Sequence, residues 1–224
     1  MGMWRSNEDD EAIAERWAAQ NGWRVSRDVA LPFEVGGPDD GQGQAAILLH
    51  TSVNGRPVAV ADYWYRRWHN SWDSDAANRR QMVRKTVTTV RLTDSYPRMT
   101  VKRRSGGGGW GAFNAVFGAI GRASDPVGAA LGDLQQRLLG PKSVGVTLGY
   151  QPFDQQFEIE ATNPDVARRL FGRELVEQLV AGGGPTWTIQ GQDLYTITGS
   201  SPIVPEEIPA RVSSLLRVAD LLGR

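Results

Sequence analysis

Asp62 is the acid in this chain best placed to do chemistry. It sits in the run Val58-Ala-Val-Ala-Asp-Tyr-Trp64, which alternates as a strand and puts Asp62 on the face of Val58, Val60 and Trp64. A carboxylate on such a face is either a general acid or base, or half of a buried ion pair, because burying it alone costs several kcal/mol. The ion pair needs an arginine from a neighbouring strand, for which Arg84 or Arg91 would serve, and it is the expected reading. His69 follows in Arg66-Arg67-Trp68-His69-Asn70-Ser71-Trp72-Asp73, with Asp75 close behind. A His/Asp/Asp metal site can be drawn there, but strand-end loops gather such residues by chance and no metal is expected. His50, the other imidazole, ends an apolar run over 45–49 and reads as a hydrogen-bonded core or edge histidine.

Other catalytic and cofactor signals are missing from the sequence. There is no cysteine, which excludes disulfides, thiolate metal sites and a cysteine nucleophile together. There is no Gly-x-Ser-x-Gly elbow. The glycine-rich runs at 36–43 and 106–109 lack the spacing of phosphate loops and read as linkers. No cofactor is expected, and the balance is against an enzyme.

Two surfaces could bind rather than react. Trp110, Phe113, Phe117 and Ile120 fall at spacings of 3, 4 and 3 within a run that carries no charge from 110 to 121, behind four glycines. Folded inward they are core; left outside they form an apolar patch for a protein partner, a second subunit or a membrane interface. The glycine tether favours docking beyond the parent domain. The second surface is basic. Residues 66–104 carry eleven bases against three acids, while 1–50 carry nine acids against four bases and 150–224 ten against six. Trp64, Trp68 and Trp72 among Arg66, Arg67, Arg79 and Arg80 could stack bases and neutralise phosphates. The plainer reading is that basic strand faces pair with acidic elements inside one domain.

The elements that must position these residues follow from periodicity and turn chemistry. A helix is expected over 8–20, with Ile13 and Trp17 on one face and Asn21-Gly22 ending it. A strand over 23–31 precedes a hairpin, 45–53 and 56–68, around Asn54-Gly55. Residues 82–92 and 99–104 suggest a further strand pair around Ser95-Tyr96-Pro97. Within 105–142, Asp125-Pro126 opens a helix with Val127, Leu131, Leu134 and Leu138 in one stripe, and the strands flanking this insertion are expected to pair with each other. Phe157, Ile159 and Ala161 alternate with Glu158 and Glu160 as a half-buried strand. One helix from Pro164 with Val166, Leu170, Leu175 and Leu179 inward, a hairpin around Gly191, and a final helix from about Pro205 complete the chain.

With these motifs in hand, the chain resembles an uncharacterised, mainly actinobacterial family. The resemblance rests on Trp17-Ala-Ala-Gln-Asn-Gly-Trp23, on Gly55-Arg56 followed by Asp62-Tyr63-Trp64-Tyr65, and on Pro97-Arg-Met-Thr-Val101. It continues through Phe153-Asp-Gln-Gln-Phe157, the Pro164 helix and the hairpin over 187–194. It implies a fold and no catalytic residues, and many relatives look membrane-tethered. The excess of arginine over lysine, 22 to 3, fits a GC-rich bacterial genome.

The expected fold is α+β, a mostly antiparallel sheet with long packing helices. Residues 1–104 and 143–224 form one domain and 105–142 a Gly-rich helical insertion. The expected role is a non-catalytic interaction or scaffold module with a protein partner or self-association, peripheral to a membrane where the insertion makes that contact. A nucleic-acid binder using 66–104 is the alternative, and an enzyme around Asp62 and His69 the second. No secretory leader and no apolar stretch of about 20 residues is visible, so a cytoplasmic location is expected.

Overall fold

Asn54 and Gly55 both adopt left-handed backbone angles, φ 52° and 77°, as a two-residue hairpin turn requires. They join β2 (Gln44–Val53) to β3 (Arg56–Trp68) in antiparallel register from Val53 opposite Arg56 to Gln44 opposite Trp64, with an irregularity between Ala45 and Ile47. The computed structural model describes residues 5–33, 35, 43–68, 80–104, 143–182, 184–199 and 202–224. The insertion at 105–142, with Trp110, Phe113, Phe117 and Ile120, lies outside the described residues, as does His69.

Before the hairpin come α1 (Arg5–Gln20) and β1 (Arg24–Val29); after it come β4 (Arg80–Arg103), β5 (Val144–Val146), α2 (Gln151–Gln156) and β6 (Phe157–Ala161). Then follow α3 (Pro164–Leu170), α4 (Arg173–Gly182), β7 (Trp187–Thr198), a 3₁₀ turn (Pro205–Glu207) and α5 (Ile208–Leu221). The strands order as β1-β2-β3-β4-β6-β5, with β7 also on β4. The registered ladders from β1 to β6 are antiparallel. The fold is α+β with a mostly antiparallel sheet, as the periodicities imply.

Four local expectations are corrected. Ser95-Tyr96-Pro97 is no turn: residues 82–92 and 99–104 belong to the single strand β4, 24 residues long. Pro97 falls between the β3 ladder, which ends at Val90, and the β6 ladder, which begins at Met99. Neither ladder needs the N–H that proline lacks. Gly191 likewise bends one strand, β7, with φ 64° instead of closing a hairpin. The helix expected from Pro164 is two helices, broken at Phe171-Gly172. A Cβ on Gly172 would lie 1.5 Å from the Arg224 carbonyl oxygen, so the backbone passes there at close quarters. Lastly, β4 and β5 do not pair with each other, because β6 lies between them.

The chain divides into two compact units. The first comprises Met1–Tyr96 with Trp187–Leu221. One sheet face here buries Phe33, Ala45, Ala61, Tyr63, Tyr65, Val87 and Tyr195 together, with Phe33 stacked on Tyr195 at 4.0 Å between ring centroids. Each such aromatic contributes about 2–3 kcal/mol relative to exposure. β3 also buries Val58, Val60 and Asp62 on its opposite face, so both faces of this strand are covered. α5 buries Ile208, Val212, Leu215 and Ala219, the stripe its 3.6-residue periodicity predicts. In α1 the inward residues are Ala14 and Ala18; Ile13 is 50% exposed, so the expected Ile13/Trp17 face is rotated toward the small residues.

The second unit is Pro97–Thr186 with Leu222–Arg224. Phe153, wholly buried, stacks on Phe157 at 5.0 Å and meets Phe171 edge-on at 5.5 Å. Phe157, Ile159 and Ala161 point inward while Glu158 and Glu160 remain half-buried, the alternation read from sequence. Asn163 caps α3 by accepting from the Val166 N–H at 3.1 Å, and Pro164 takes a first-turn position where no N–H is needed.

Candidate functional site

The β3–β4 ladder sets Asp62 opposite Thr86 and Trp64 opposite Arg84, so Arg84 lies diagonally from Asp62 on the same face. Asp62 is 1% exposed. Arg84 Nε donates to Asp62 Oδ1 at 2.8 Å and Oδ2 at 2.9 Å, and Nη2 to Oδ2 at 2.5 Å. The guanidinium also lies 5.1 Å from the centre of the Trp64 ring, and its Nη1 reaches Asp10 Oδ2 at 3.4 Å from α1. Burial works against the charge of Arg84, but the hydrogen bonds and charges of Asp62 and Asp10 outweigh it and hold its pKa above the ordinary value.

This arrangement is a fork-to-fork ion pair, in which both carboxylate oxygens are taken. A general base must offer a lone pair to a substrate proton, and Asp62 offers its oxygens to Arg84 instead. Of the two arginines that sequence proposes as partners, Arg84 fills the role. Arg91 turns elsewhere, donating to Gln192 Oε1 at 2.8 Å and lying 3.9 Å from Asp193. Burial raises the pKa of Asp193, while Arg91 pulls it the other way.

His50 is half-buried and its Nε2 lies 3.1 Å from Ser26 Oγ, the hydrogen-bonded histidine that its strand-end position implies. Sequence gives no hint of Ser26, which only the β1–β2 pairing brings near. Among the described residues no carboxylate is placed on this ring to orient it as a triad would. No group of three His, Cys, Asp or Glu side chains that could hold a metal occurs among the described residues.

The basic segment is answered in part from within. Besides Arg84 and Arg91, Lys102 pairs with Glu160 at 3.0 Å, and Arg104 donates to the Phe157 carbonyl at 3.1 Å. Arg66, Arg98 and Arg103 remain exposed. Trp72 and Arg79 lie outside the described residues, as do the side chains of Arg67, Trp68 and Arg80. No described helix is long and apolar enough to cross a membrane.

No protein-family model matches the chain, and no curated protein matches it in sequence. Among solved structures, it is similar to the crystal structure of the mycobacterial trehalose monomycolate transport factor A, TtfA. The TM-score is 0.52 at 10% identity, over 93% of this chain and 91% of that one. At that identity the likeness establishes a shared fold.

Proposed function

We propose that this chain is a non-catalytic interaction module, related in role to transport factors of the actinobacterial cell rather than to enzymes. The observation that carries this reading is the closed Asp62–Arg84 pair: the buried acid with the strongest claim to chemistry is committed to holding two strands together. Two further points support it. The solved structure that shares the fold is named for transport, not for a reaction. Three of the six described cations of β4, Arg84, Arg91 and Lys102, have internal partners, which weakens the nucleic-acid reading. The family resemblance, in which relatives are often membrane-tethered, points the same way.

The contact is assigned to Trp110, Phe113, Phe117 and Ile120, an uncharged stripe that needs an apolar cover. The test replaces Phe113 and Phe117 with serine and measures oligomeric state by light scattering, liposome co-sedimentation and thermal stability. The expected result is loss of self-association or of liposome binding at unchanged melting temperature. A monomeric wild type that ignores liposomes, paired with a variant that melts earlier, makes the stripe ordinary core and removes this reading.

A further inference from the structure

α1 is attached to its unit unevenly. Among its described side chains, residues 9–20, Ala14 and Ala18 are buried, Trp17 is half-buried and meets Trp23 at 5.6 Å, and Ile13 is 50% exposed. Two methyl groups and part of an indole make a small apolar seat, whereas helices in proteins draw most of their stability from burying such a face.

Carboxylates make up the difference. Arg27 on β1 donates through Nη1 to Glu11 Oε2 at 2.7 Å and through Nη2 to Glu15 Oε1 at 2.5 Å, bridging two successive turns of α1. Arg84 adds its 3.4 Å contact to Asp10 while Asp62 keeps the rest of the guanidinium. These clamps are accessible to ions: the Arg27 side chain is 52% exposed and that of Asp10 34%. Among the described residues the strand that carries Arg27 pairs with β2 alone, at the edge of the sheet, and it is interrupted by Asp28 at φ 54°. The Asp62–Arg84 pair does not depend on α1, since both of its members lie in the sheet.

We infer that α1 is a releasable strap, latched by guanidinium groups, which opens as a unit while the sheet beneath stays folded. Opening uncovers Arg27, the Asp10-facing edge of Arg84 and the positions that Ala14 and Ala18 cover. This goes beyond the proposed interaction role, which is assigned to residues 110–120, and it stands or falls separately.

Salt discriminates the clamp from apolar docking, because exposed ion pairs are screened and buried methyl contacts are not. The experiment is hydrogen–deuterium exchange of the full chain at about 0.05 M and about 1 M NaCl, read against the amides of β3 as an internal reference. Amides of α1 are expected to exchange about three- to fivefold faster at high salt relative to β3. Arg27→Gln, a change at a half-exposed site, should show that acceleration already at low salt and respond less when salt is added. Exchange of α1 that ignores salt, or α1 and β3 accelerating together, overturns the strap.

Discussion

Arg84 stands diagonally across the β3–β4 ladder from Asp62, and its Nε and Nη2 between them hold both oxygens of that carboxylate. The relationship explains how a charged residue can occupy a position that is 1% exposed in the middle of Val58-Ala-Val-Ala-Asp-Tyr-Trp64. Desolvating the pair is costly, but removing one partner costs more, because the other charge is left buried alone. Asp62→Ala should therefore lower unfolding stability by about 3 kcal/mol or more. The double change Asp62→Leu with Arg84→Met should cost less than Asp62→Ala by itself. Denaturant unfolding of the three proteins decides it: an Asp62→Ala change within ~0.5 kcal/mol of wild type would falsify the ion pair as a structural element.

Thr88 supplies a prediction of opposite sign. It is buried opposite Val60 in the ladder, and its Oγ1 has no hydrogen-bond partner among the described residues. A buried hydroxyl without a partner retains its desolvation cost, and valine has nearly the same shape without that hydroxyl. Thr88→Val is expected to raise stability by about 1 kcal/mol, read as a higher urea midpoint at unchanged slope. A lower midpoint means that the hydroxyl is satisfied in solution.

How far these features could be read from sequence depends on what decides each one. Asn54-Gly55, the helix start at Pro164, the alternation of Phe157 through Ala161 and the Asp62–arginine pair are legible because local sterics or the cost of a buried charge leaves few alternatives. Pro97 and Gly191 mislead for the converse reason. Their residue types signal turns, yet neighbouring strands keep the backbone extended wherever proline's missing N–H is not required or a glycine can bend. Ile13 misleads because α1 is oriented by Arg27 and Arg84 as well as by apolar burial, so its largest aliphatic side chain is not its innermost. The break at Gly172 depends on Arg224, 52 positions along the chain, which no local window contains.

Asp193 should give the chain a specific pH response. Its side chain is 17% exposed and burial raises its pKa, against the weaker pull of Arg91 at 3.9 Å. A raised carboxyl pKa means that the folded chain binds this proton more tightly than the unfolded one. The associated stability is present below the unfolded value of about 3.9 and is lost as pH rises through the folded value. Asp193→Asn should therefore melt about 2 °C higher than wild type at pH 7, with the difference closing near pH 3. A variant that melts lower at pH 7 shows that the Arg91 contact outweighs burial.

The connection between β4 and β5 sets a geometric limit on the 105–142 segment. Both strands pair with β6, on its two sides, so they run parallel to each other. Arg103 stands opposite Phe157 at one end of β6, and Val144 opposite Ala161 at the other. The chain leaving β4 must return along the length of β6 and across two strand spacings, roughly 17 Å in all from strand rise and separation. Joining Arg104 directly to Ser143 leaves three steps between Arg103 and Val144, at most about 11 Å, and cannot make that crossing, whereas about twelve Gly/Ser residues can. Lengthening a flexible loop costs only about 0.6 kcal/mol per doubling. Replacing 105–142 by the twelve-residue linker should therefore leave β5 paired and the melt cooperative, while the direct join loses protection at the amides of β5 and β6. Equal stability of the two versions contradicts the parallel arrangement. Collapse of both contradicts the independence of the core from the segment and places Leu131, Leu134 and Leu138 inside it.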